Sequence, residues 1–186
     1  MSVGSGLHAG EIDCLVSRLV DEVRWLWVFA RDELPDFARE IRPWCLILNT
    51  DPKDQPGTHW LAFYALLSGD NELFDSFGFA PSMYSLDLLD PLNSSYSFKS
   101  PNTSVCGHYC IVYIYLSSHN YLLSGIVHLL TDISSRDLWV KQYIYNIANS
   151  SFHSQSMSPY WSMLQITMSI LLNQLKCKGN EINEMK

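Results

Sequence analysis

Three side chains able to cooperate in acyl transfer occur in this chain in the order His59, Asp75, Cys106. A thiol is an effective nucleophile only as thiolate, and a helix N-terminus favours that form because its N–H groups and dipole attract negative charge. A neighbouring imidazole takes the thiol proton and later returns it to the leaving amine. A carboxylate on the far ring nitrogen fixes the tautomer and stabilises the imidazolium. Cys106 opens the apolar run VCGHYCIVYIYLSSHNYLL (105–123), and Asp75 stands between Phe74 and Phe77, where a carboxylate needs a partner. Gly107 directly follows the cysteine; glycine is unfavourable inside a helix and marks close backbone approach, here expected to a ligand.

Each residue also has a plainer reading. Cys106 alone suits a buried core thiol, and His59 alone a satisfied strand-end histidine. Cys110, one helical turn after Cys106, is expected in the core, and histidines 8, 119, 128 and 153 at the surface or in packing. Cys106, His108 and Cys110 lack a second ligand cluster, so neither zinc nor any cofactor is expected.

The elements that must bring these groups together follow from periodicity. Apolar residues at 12, 15, 16, 19, 20 and 23 have helical spacing within 11–30, although Arg24 to Phe29 turns aromatic and loses the pattern. WCLILN (44–49), between Pro43 and the turn-rich TDPKDQPG, reads as a buried strand. HWLAFYALL (59–67) and ELFDSFGF (72–79) read as two more, joined by a tight turn at SGDN (68–71), giving a β-meander with His59 and Asp75 on consecutive strands. A short helix is expected at 82–92, then a polar stretch (93–104) ending in an N-cap. A central helix follows from 105 to 123, its length deciding against a strand. A second helix is expected from about Ser134 to Ala148, with Ser134 or Ser135 as cap and Leu138, Val140, Tyr143, Ile144 and Ile147 inward. These elements predict one domain over 1–149; 150–186 reads as a Ser-rich linker and a C-terminal helix at 163–175.

With 186 residues, 47% hydrophobic and 17% charged, the chain is long and apolar enough for a packed core. A formal charge of −7 argues against general nucleic-acid binding. Five irregularly spaced cysteines (14, 45, 106, 110 and 177) argue against a disulfide framework. No basic-then-apolar leader opens the chain, and no stretch reaches the roughly 18 apolar residues needed to span a bilayer. The expectation is an intracellular protein, in cytoplasm or nucleus, away from membranes.

GTHWLAFYALLSGDNELFDSFGF followed by SPNTSVCGHYC resembles the adenovirus-type cysteine endopeptidases (adenain), most closely the branch encoded by Maverick/Polinton DNA transposons. The shared pattern is G-x-H-W, then F-[DE]-x-[FY]-G, then P-N-[ST]-x-x-C-G-x-[FY]-C, in order over roughly residues 28–116. FARDELP and LILNTDPKDQPGTHW are similar to the transposon branch.

The resemblance implies an α+β, papain-like fold related to the ubiquitin-like-protein proteases, with a cysteine-bearing central helix packed on a small, mostly antiparallel sheet. It implies Cys106 as nucleophile, His59 as general base and acid, Asp75 as the residue orienting the histidine, and Trp60 as a site neighbour. The backbone N–H of Cys106 would donate to the oxyanion. It further implies cleavage at small, glycine-type sites in virion-like structural precursors, and an activating peptide or DNA as partner; the acidic charge argues against DNA. One position departs: Lys99 stands where the family has glutamine, whose side chain donates to the oxyanion. A lysine cation also stabilises negative charge, but its flexible stem lacks the fixed amide geometry. A working enzyme, an impaired homologue that binds peptide or partner in the same groove, and a ubiquitin- or SUMO-type protease therefore stand as alternatives.

Overall fold

The computed structural model describes residues 6–34, 41–86, 92–93, 97, 103–133 and 135–150. The expectations for Lys99, most of 93–104, Ser134 and 151–186, including the linker and the helix at 163–175, lie outside them. Within them the protein is α+β, with four α-helices and a five-stranded sheet. The strands β1 (Arg24–Phe29), β2 (Trp44–Asn49), β3 (Trp60–Ala65), β4 (Asn71–Phe74) and β5 (Leu92–Asn93) lie in sequence order. β2–β3–β4 form the expected antiparallel meander, but β1 pairs with β2 and β5 with β4 in parallel, so the sheet is mixed rather than mostly antiparallel.

Strand parity divides the core. Cys45 and Ile47 of β2 and Ala62 and Tyr64 of β3 face the helices. Trp44, Leu46, Leu48, Leu61, Phe63 and Ala65 fill a second apolar cluster with Leu73 and Leu86. Both sides of β2 are covered, which is why WCLILN reads as an unbroken apolar run instead of an alternating one.

The helices α1 (Ala9–Leu19), α2 (Cys106–Ser118), α3 (Leu123–Asp132) and α4 (Arg136–Ser150) supply the rest. α1 buries Ile12, Val16 and Leu19, and its start is held by a bond from the His8 N–H to Glu11 Oε2, 2.9 Å. The helical spacing read through residue 23 gives a helix that stops at Leu19. The aromatic stretch RWLWVF is β1, its bulky side chains better suited to a pleated surface. α2 is buried on nearly every side and packs on β3, α1 and α4. It is shorter than the run 105–123, because the chain turns at His119 and Asn120 (φ 65°) and starts α3, a helix the apolar pattern did not separate. In α4 the inward residues include Trp139, whereas Leu138, expected inside, is 62% exposed. Of the short helix expected at 82–92, the described residues show a 3-10 turn at Pro81–Tyr84, and residues 87–91 lie outside them.

Candidate active site

The β2–β3 connection delivers His59. Gly57 has φ +80°, and a Cβ there would lie 2.4 Å from Asn49 Nδ2, so both backbone and space require glycine. The Asn49 side chain accepts from the Asp51 N–H (2.9 Å), shaping the loop, and Thr50 N–H donates to the His59 carbonyl (3.0 Å). His59 therefore leaves the end of the ladder one residue before β3, with 6% of its surface exposed.

Asp75 follows β4 instead of lying within it. The strand expected to run to 79 ends at Phe74, and the chain turns, the Gly78 N–H donating to the Asp75 carbonyl (3.0 Å). Gly78 takes the positive φ (72°) that this turn needs. Since Ala62 pairs with Phe74, continuing the register sets Asp75 opposite Leu61 and diagonal to His59. The fully buried Asp75 carboxylate is surrounded by donors. Oδ1 accepts from His59 Nε2 (2.6 Å) and the Phe77 N–H (2.8 Å); Oδ2 accepts from the Phe79 N–H (3.0 Å) and the Tyr84 hydroxyl (2.8 Å).

These bonds set the protonation of the pair. Burial alone would raise the Asp75 pKa, but the His59 hydrogen bond and charge, with those from Phe77 and Tyr84, outweigh it and hold the carboxyl below its usual range. An ionised carboxylate only accepts, so Nε2 of His59 carries the proton. Nδ1 is buried, with no hydrogen-bond partner among the described residues. Burial pulls the imidazole pKa down, yet the hydrogen bond to Asp75 and the nearby charges of Asp75 and Cys106 raise it above the ordinary value. Phe77 lies against the imidazole, ring centroids 4.6 Å apart, and Tyr84 lies 6.1 Å away.

Cys106 is the first residue of α2 and is 6% exposed. The expected polar N-cap is absent: the cap is Val105, which has no side-chain oxygen to occupy the first-turn N–H groups. Gly107 is explained by packing instead of a ligand. A Cβ there would stand 3.1 Å from Ile12 Cδ1, 3.3 Å from Trp60 Cδ1 and 3.4 Å from Leu7 Cβ. Trp60, half-buried, donates from its indole to the Leu7 carbonyl (3.1 Å), closing the N-terminal segment over the helix start. Cys110 lies in the core, its thiol 3.3 Å from the Trp60 carbonyl, and burial keeps it protonated. His108 stays outside the cluster, burial pushing its pKa down to about 4.

The structure thus brings His59, Asp75 and Cys106 into one chain of contacts, with Trp60 and Gly107 beside it. Tyr84 was missed by sequence reasoning: nothing in SMYS marks a tyrosine that reaches a carboxylate nine residues upstream. Among the described residues no group of three or more His, Cys, Asp or Glu could hold a metal ion, and no helix is long and apolar enough to cross a membrane. Comparison with models of known families and with curated proteins gives no match for this chain.

Proposed function

We propose that the protein is a cysteine endopeptidase of the adenain type, with a papain-like arrangement of its site. The observation that carries this reading is His59 bonded to a buried carboxylate through Nε2, with Cys106, the first residue of a helix, near enough for its charge to raise the imidazole pKa. Nδ1 takes the thiol proton, and the Cys106 thiolate adds to the scissile carbonyl to give a tetrahedral oxyanion. The oxyanion collapses as imidazolium protonates the departing amine, leaving a thioester. Water, deprotonated by His59, then releases the acid and restores the thiol. Asp75 holds the ring and stabilises the imidazolium throughout. The Cys106 N–H, at a helix start with no side-chain cap, is an oxyanion donor. Following the family resemblance, the substrates are structural precursors cleaved at small, glycine-type sites.

The test is alkylation of the folded protein with iodoacetamide, beside peptide hydrolysis. Cys106 should react faster than the exposed Cys14 and the buried Cys45, and His59→Ala should abolish both that advantage and cleavage. Equal labelling of the three thiols with no cleavage would sink the enzyme reading. Lys99 motivates a second reading, a weakened enzyme that acts mainly as a peptide-binding module. Loss of one oxyanion donor costs about 100- to 1000-fold in rate, so Lys99→Gln should raise kcat. An unchanged kcat would remove Lys99 as a defect.

A further inference from the structure

One carboxylate spans the nucleophile's position in the chain. Asp137, in the first turn of α4, accepts from the Thr103 hydroxyl through Oδ2 (2.7 Å) and from the Tyr109 hydroxyl through Oδ1 (2.9 Å). Thr103 lies three residues before Cys106, and Tyr109, fully buried, three residues after it. We infer that Asp137 is a positioning residue, holding the segment that enters α2 so that Cys106 and the N–H groups beside it keep the geometry the reaction needs. The inference rests on the protease reading above.

The physical reason lies in how this helix begins. A helix start is ordinarily fixed by a Ser, Thr, Asp or Asn cap whose oxygen takes first-turn N–H groups. Val105 provides none. A cap would compete with a substrate oxygen for those donors, so an anchor is better placed outside the helix. Asp137 supplies it from α4: Thr103 is tied from the loop side and Tyr109 from the helix side. Gly6 closes the opposite flank, because a Cβ there would lie 3.0 Å from the Ser104 carbonyl oxygen. Residues 103 and 104 are therefore held between α4 and the N-terminal segment. A carboxylate in a first helical turn also interacts well with the helix dipole, and that purely structural role predicts a stability loss alone.

The experiment compares Thr103→Val, Thr103→Ser and Asp137→Ala with the wild-type chain in peptide hydrolysis and in amide exchange of residues 104–107. Misplacement by about an ångström costs up to about 100-fold in rate, so Thr103→Val and Asp137→Ala should lower kcat by about 10- to 100-fold with KM within about twofold. Thr103→Ser, which keeps the hydroxyl, should restore it. Exchange at 104–107 should quicken in Thr103→Val and Asp137→Ala while the interior of α2 stays protected. A kcat for Thr103→Val within about twofold of wild type, or a Thr103→Ser as slow as Thr103→Val, overturns the inference. If Asp137→Ala does not fold, the two Thr103 variants decide it. If wild type itself cleaves nothing, the protease reading fails, and unchanged exchange at 104–107 in Thr103→Val separately overturns the anchoring.

Discussion

Replacing Asp75 by asparagine removes one charge from a carboxylate that accepts four hydrogen bonds. His59 owes its raised pKa to Asp75 and Cys106 acting against burial, so Asp75→Asn lowers it. In the proposed mechanism the thiolate–imidazolium pair is lost when the imidazolium deprotonates, so the alkaline limb of kcat/KM should move to lower pH. An alkaline limb that stays in place would show that Asp75 does not set the imidazole. The carboxamide NH₂ also opposes the Nε2 proton, so kcat should fall by about 100-fold or more. Stability carries opposite signs at the two residues. The Asp75 contribution is complete above the unfolded carboxylate value of about 3.9 and is lost as pH falls through its lower folded value. The His59 contribution is complete below about 6.5 and is lost as pH rises through its raised folded value. Urea unfolding of wild type and Asp75→Asn across pH should therefore converge only at the acid end.

Elements place these residues by where they stop. His59 leaves the sheet just before β3, Asp75 just after β4, and Cys106 starts α2. The least replaceable connection is the β2–β3 loop, where Gly57 combines positive φ with the Asn49 amide in the space of a Cβ. Gly57→Ala should destabilise by about 1–3 kcal/mol and lower kcat, because strain two residues from His59 displaces the imidazole. Denaturant midpoints check the first effect and steady-state kinetics the second. Much at this scale was readable beforehand. The meander, its SGDN turn and the central helix follow from periodicity and turn residues. The end of β4 was not readable, because FDSFGF remains apolar while Asp75 draws the backbone N–H groups of Phe77 and Phe79 out of strand geometry. The loss of helical spacing over Arg24–Phe29 was readable, but not that this aromatic stretch is the strand β1.

Across the whole molecule, stability and site geometry share the same packing. Ile12 of α1 is fully buried and is the nearest neighbour of the Cβ position at Gly107. Ile12→Ala should cost about 2–5 kcal/mol and loosen the helix start, lowering kcat as well. Leu138→Ala, at a 62% exposed position of α4, should stay within about 0.5 kcal/mol in the same urea titrations. The contrast separates a core that supports the site from an apolar surface that does not.

By itself the sequence determined which residues could react and in what order. Side-chain chemistry and short-range spacing are local properties, and His59, Asp75 and Cys106 with their flanking glycines are legible one residue at a time. Only the tertiary structure decided that they meet. It set His59 diagonal to Asp75 through the β3–β4 register, brought the Tyr84 hydroxyl to the carboxylate and the Asp137 carboxylate to Thr103, and gave Gly107 to Trp60, Ile12 and Leu7. Those contacts join residues far apart in the chain, and a hydrogen bond across a fold leaves no periodic trace in the sequence that makes it.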